Sequence, residues 1–306
     1  MKTMKDEMYN NVAVCGKLLS LSSTAGKTTD GRPWEKATAV VRVNQTFDGN
    51  TETSEIILPF MAMQYTREGK VSATYENIQR LKKMKTAQND GIEEASVISV
   101  SKSSSGRPCG RISENFFMTK GGRFVDDWQL DCQFASLVTG KTVEQAGVEV
   151  DAFILNMTDE MNKDEELTGR LIIKAGIVGY GEKLSVINFI VEAPDKVDFI
   201  RNNWAVNDTV RITARVRSTR VETTETKPVS SWGETITNTV TRTVRELIVT
   251  GGSDAPYEEE FAYDPVEIKK GFNVRKAQIE QRQNASPAPA KKATATSAPK
   301  SYDWEE

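Results

Sequence analysis

Between residues 12 and 250, apolar and polar side chains alternate with a period of two, Val, Ile and Thr abound, and Gly, Asn and Asp mark the interruptions. Successive side chains of a strand point to opposite faces, so the pattern commits the chain to a body of half-buried strands. Strands are expected at Val12–Leu21, Glu35–Val43, Ser54–Met63, Ala95–Ser101, Arg111–Met118 and Phe124–Leu137. A second series is expected near Val148–Asn156, Gly169–Val178, Lys183–Val191, Thr209–Val221 and Thr235–Thr250. A helix interrupts each series. In Tyr75–Met84, residues Ile78, Leu81 and Met84 fall at helical spacing, and Ala193–Ile200 opens with Pro194 followed by Asp195.

The same order therefore occurs twice, an internal repeat. Three strands, a helix and two strands joined by a long hairpin is the order of an OB-fold, a small barrel that closes its own edges. The expected fold class is all-β with short helices: two tandem OB-fold-like five-stranded barrels, one C-terminal helix and a disordered tail. A β-sandwich is the open alternative. The divisions expected are an extension over 1–9, barrels over 10–140 and 141–254, a helical segment over 255–284, a disordered linker over 285–300 and a tip over 301–306. Within the helical segment, Asp264–Ile279 is expected to dock as a helix on the body or on another copy, against the helix-weakening effect of Gly271.

The chain has 306 residues, a formal net charge of -3 and no histidine. That balance excludes a polybasic coat for duplex DNA and leaves room for a local basic groove. The absence of imidazole removes the serine, cysteine and metal chemistries that depend on it, and an enzyme is not expected. Cys15, Cys109 and Cys132 are widely spaced and form no Cys-x-x-Cys pair, so no metal or other cofactor is expected. The odd cysteine count, with no signal peptide, fits a reducing cytoplasm, and no segment approaches the length of a membrane span.

Four arginines stand out. Val210, Ile212, Ala214 and Val216 share one strand face, Arg211, Arg215 and Arg217 the other, and Arg220 follows. Guanidiniums about 7 Å apart approximate the spacing of phosphates on an extended single strand. A solvated edge strand protected by charge, or neutralisation by carboxylates such as Glu222 and Glu246, reads the same residues structurally. Aromatics should interleave with such cations, because every base offers a stacking face. Trp34, between Arg32 and Lys36, is expected in the first barrel's loop between strands one and two, Trp232 in the second barrel's long hairpin, and Tyr180 in the turn Gly179–Gly181. Trp204, after a helix, reads as a buried plug. For Phe60, Phe116, Phe117 and Trp128, core packing and base stacking both stay open. Two stretches imitate phosphate loops, Ala135–Thr142 and Ala25–Thr28, but neither is followed by the helix such a loop needs.

The last residues differ in kind. Ala285–Thr296 offers almost no apolar bulk and reads as a linker, and the tip Tyr302, Asp303, Trp304, Glu305 and Glu306 reads as bait for a partner protein. A plain solubilising tail is the open alternative.

Together the strand order, loop tryptophans, arginine strand and tail resemble the single-stranded DNA-binding proteins of bacteria and their phages. Thr241–Val249 is similar to that family's last strand, and Val12–Leu18 to its first, with Gly16 in the bend. Family members carry an acidic tip that recruits replication and repair proteins. Two barrels in one chain, and a tip containing Trp304 in place of a terminal Pro-Phe, point to a phage version. The resemblance implies sequence-tolerant binding and protection of single-stranded DNA in phage replication or recombination, in the host cytoplasm. Arg32, Trp34, Lys36, Tyr180, Arg211, Arg215, Arg217, Trp232 and Arg242 would contact DNA. Partners would be single-stranded DNA, replication or recombination proteins held by the tip, and further copies of the chain, with no membrane. The competing reading is a β-rich phage structural or adaptor protein without nucleic-acid binding.

Overall fold

The fold comes from a computed structural model that describes residues 1–47, 49–119, 124–228 and 235–284, with backbone alone over 220–228 and 235–242. β1 (Asn10–Lys27), β2 (Pro33–Phe47) and β3 (Asn50–Met63) form an antiparallel meander. α1 (Ala73–Leu81) and the one-turn α2 (Ala87–Asp90) follow, then β4 (Val97–Val100), β5 (Gly110–Met118), β6 (Phe124–Cys132) and β7 (Ser136–Leu137). β4 pairs with β1, β5 with β6, and β6 returns parallel to β3 with Phe60 opposite Cys132. The second half comprises β8 (Gln145–Met161), β9 (Leu167–Gly179), β10 (Lys183–Val191), α3 (Pro194–Asn203), β11 (Thr209–Pro228) and β12 (Thr235–Gly252). Its pairings run β8–β9–β10–β12–β11 and back to β8. Both halves are OB-fold-like barrels, in the expected order, and this ring closure is what a sandwich lacks.

The barrels differ at their fourth strand. β11 runs unbroken, whereas in the first barrel β4 and β5 divide the same position and residues 101–109 loop out between them, bridged from Lys102 to Pro108. Beyond the break a side chain completes the ladder. The buried amide of Asn10 donates to the Ile112 carbonyl at 2.8 Å and accepts from its N–H at 2.9 Å, standing in for a strand partner.

The alternation places the core. Val210, Ile212, Ala214 and Val216 are all buried inside the second barrel, as are Ala37, Ala39, Val41 and Val43 in the first. α1 plugs the first barrel with Ile78 and Leu81, both fully buried. Trp204 is the plug expected of it, 4% exposed, its indole N–H donating to the Ser253 carbonyl at 3.2 Å. Between Asn10 and Cys15, β1 also pairs with β8, so the barrels share one 12-stranded sheet.

The C-terminal segment forms α4 (Pro265–Asn284), which packs against β10 of one barrel and β5 of the other. Arg275 grips Glu114 through both carboxylate oxygens, at 2.8 and 2.7 Å from its Nε, and Arg282 donates to the Phe116 carbonyl at 2.7 Å. Gly271 is not a weak point of this helix. A β-carbon there would lie 2.7 Å from Met4 Cε, so the glycine lets α4 approach the body closely enough to bury Ile268.

Candidate nucleic-acid interface

Because Glu35, Ala37, Ala39, Val41 and Val43 point into the first barrel, Trp34, Lys36, Thr38, Val40 and Arg42 are set on its outer face. Across β3 they meet Met63, Met61, Pro59, Ile57 and Glu55 in that order. Ile57 is 48% and Met61 59% exposed, so this face carries apolar surface alternating with its polar residues. On the other side of β2, Trp34 stands opposite Gly26 of β1. A β-carbon on Gly26 would lie 2.6 Å from Cζ2 and 2.9 Å from Cε2 of the indole, so the ring rests directly against the sheet. Lys36 is exposed and Arg42 half-buried, and neither has an ion-pair partner among the described residues. The Nε of Arg42 is buried without a hydrogen bond.

The loop before Trp34 is held by its own side chains. The Thr28 hydroxyl, and then Arg32 through a 2.6 Å ion pair, keep the Asp30 carboxyl below its ordinary range. Arg32 is therefore engaged within the turn. Behind the face, Glu35 is 4% exposed and receives Lys82 at 2.7 Å and the amide of Gln79. Burial raises this carboxyl, but the two donors outweigh it and leave its pKa lowered.

The arginine strand is a correction. Arg211, Arg215 and Arg217 do lie opposite the buried face of β11, yet they form an ion-pair network instead of an open basic surface. Arg211 meets Asp151 at 2.8 Å and Glu149 at 3.4 Å, with its guanidinium 4.4 Å from the centre of the Tyr9 ring. Burial lowers its pKa, but Asp151 more than offsets this, so the guanidinium stays charged. Arg215 is paired with Glu52 of β3 and lies 4.2 Å over the Phe47 ring, which ties the tip of the first barrel's hairpin to the second barrel. Arg217 bridges Glu192 at 2.6 Å and Glu246, the neutralising role foreseen for Glu246. Acidic side chains brought from β3, β8, β10's end and β12 pair all three and leave Arg215 and Arg217 largely covered and Arg211 partly so, so a phosphate would have to compete with a carboxylate.

The remaining residues are dispersed. Tyr180 is 78% exposed at the β9–β10 turn, and roughly 40 Å of strand separates Trp34 from Phe47, where Arg215 sits. Arg242 lies on β12 opposite Val221, where only the backbone is described. Trp232 and the tip Tyr302–Glu306 fall outside the described residues. Of the open aromatics, Phe60 is in the core, Phe117 is exposed, Phe116 lies under Arg282 and Trp128 under Arg245. Trp34 stands with Lys36 within β2 and not in the loop expected between the first two strands, and the alternation along β2 and β3 that sets both outward marks Arg42, Ile57 and Met61 too. Among the described residues no group of three or more Cys, Asp or Glu side chains is placed to hold a metal ion, and no helix is long and apolar enough to cross a membrane.

A family model, YorF, matches residues 9–285. The chain belongs to the YorF family. The YorF match takes in both barrels and α4 as far as Asn284. Among solved structures, the wild-type single-stranded DNA binding protein from Thermus aquaticus is 9% identical, with a TM-score of 0.47 over 83% of this chain and 95% of that one. A deletion mutant of the same protein is 10% identical, with a TM-score of 0.47 over 83% and 97% of the two chains. No curated protein matches this YorF-family chain.

Proposed function

We propose that this YorF-family chain is a non-enzymatic, sequence-tolerant single-stranded DNA-binding protein whose ligand lies on the outer β1–β2–β3 face of the first barrel. The observation behind this reading is the Trp34 indole set against Gly26, with Lys36 next to it on the same face and Arg42 further along β2, neither ion-paired among the described residues. A ring backed by the sheet keeps its other face for a base, and a base stacked on an aromatic contributes about 1–3 kcal/mol whatever its identity. The neighbouring cations supply charge for the phosphates, and Ile57 and Met61 give the bases apolar surface to cover. In this reading the arginines of β11 serve ion pairs instead of DNA, Arg215 tying the second barrel to Glu52 of the first and Arg211 and Arg217 bracing the second barrel itself. The wider role is DNA replication or recombination in a phage, with Tyr302–Glu306 recruiting partner proteins; its support is the linker and acidic aromatic tip of the sequence.

Tryptophan fluorescence with oligo-dT at low and high salt, against a duplex control, tests the reading. Salt-sensitive quenching specific to the single strand is expected, and Trp34→Ala should weaken binding by about 5- to 150-fold, the equivalent of about 1–3 kcal/mol. Unchanged affinity in Trp34→Ala would move the ligand off this face. No binding at low salt would favour the adaptor reading.

A further inference from the structure

A cavity of about 280 Å³ opens on the outside of the first barrel, next to the Trp34 face. Its origin is topological. β3 and β6 pair only where Phe60 stands opposite Cys132, so the strands diverge and their outward side chains lack neighbours across the gap. Pro59 and Met61 of β3 form one wall, Gln129 and Asp131 of β6 the other, and Gln133 closes it. The loop 101–109 brings Cys109 to the rim, and Lys36 stands at the lip.

The lining is specific in kind. Pro59 and Met61 present flat apolar surface. Asp131 accepts from the Gln129 amide N–H at 2.8 Å, which turns the acceptor oxygens of this wall into a short polar edge. The Gln133 side chain is exposed and has no hydrogen-bond partner among the described residues. The volume falls just below the about 300–1,000 Å³ of pockets for drug-sized ligands and suits a single ring system. Lys36 follows Trp34 on the same face of β2, about 7 Å further along. A strand with one base stacked on Trp34 thus passes Lys36 directly before the cavity.

We infer that this cavity is a base-insertion pocket: a base next to the one on Trp34 turns out of the strand and enters between β3 and β6, with Lys36 holding the intervening phosphate. The inference rests on the proposed DNA-binding reading and assigns it a second, separate subsite. The apolar β3 wall of Pro59 and Met61 packs one face of the base, while Asp131 and the two glutamines meet its hydrogen-bonding edge.

Cys109 reports on occupancy. It is the half-exposed cysteine of the chain, Cys15 and Cys132 being 3% and 5% exposed, and burial raises its thiol pKa, so labelling belongs at alkaline pH. The full-length protein is treated with N-ethylmaleimide, and modification of Cys109 is read by mass spectrometry. Mixed-sequence single-stranded DNA of about 16 nucleotides, the upper reach of one such barrel, is added to saturation as judged by tryptophan quenching. Loss of Cys109 labelling is expected, with labelling retained under an abasic strand of equal length. Labelling at the free rate on a protein whose tryptophan quenching has reached its plateau would show the cavity empty and overturn the pocket while leaving the Trp34 face intact. Equal protection by the abasic strand would mean coverage by backbone and would also overturn it. Neither quenching nor protection would remove the DNA-binding reading, and the pocket with it.

Discussion

At Gly26 a missing β-carbon is what allows the Trp34 indole to lie against the sheet. An alanine there fits the extended backbone but puts a methyl 2.6 Å from the ring, so the indole must lift. Gly26→Ala should therefore leave the fold intact by circular dichroism and weaken oligo-dT binding towards the level of Trp34→Ala, with a shift in tryptophan emission. A wild-type affinity would mean that the ring's position is immaterial to binding. Gly271 shows the same physics in a helix: propensity counts against it, yet contact with Met4 requires it. A residue's own preference is legible in sequence, but the atom that will press on it is not.

Elements show the same contrast. β11 alternates as expected, so its buried side was readable from Val210, Ile212, Ala214 and Val216. Its polar side was readable as cationic, with neutralisation by Glu246 one of its readings, but the choice between readings was not, because Glu52, Glu149, Asp151 and Glu192 come from other parts of the chain. Removing one guanidinium leaves carboxylates uncompensated. Arg217→Gln should lower stability by about 1–3 kcal/mol, seen as a reduced urea midpoint at constant slope, with no loss of DNA affinity under folding conditions. A marked loss of affinity in a stably folded Arg217→Gln would restore this strand to the interface.

α1 adds a pH-dependent link through Glu35. Its carboxyl titrates below the ordinary value of 4.5 in the folded state, so its contribution is fully present above about pH 4.5 and disappears as pH falls through the lowered value. Glu35→Gln should flatten the acid limb of a stability-against-pH curve below that point, and an unchanged limb would place the acid sensitivity elsewhere.

Across the whole molecule the barrels are joined in three ways. β1 pairs with β8, α4 spans β10 and β5, and hairpin contacts recur in reverse, Ser54 with Ser218 on one side and Ser185 with Glu114 on the other. Neither half can open without exposing the edge of the other. A single cooperative urea transition is expected, with fluorescence and circular dichroism coincident, and separate transitions would show independent barrels. Cutting the chain near residue 140 would leave Asn10–Cys15 of β1 unpaired along one edge.

The sequence by itself determined which stretches are strands, which side of β11 faces inward, and the repeated order that makes two barrels, because alternation and turn chemistry are local. It put Trp34 in the connection between the first barrel's first two strands, and only the structure set it, with Lys36, on the outer face of β2. Only the tertiary structure decided that the β11 arginines are held by carboxylates, that Trp34 rests on Gly26, that loop 101–109 rims a cavity and that α4 clamps both barrels. Each of these is a contact between residues distant along the chain, and a distance in space between such residues is fixed by closure of the barrels, which no short window of sequence contains.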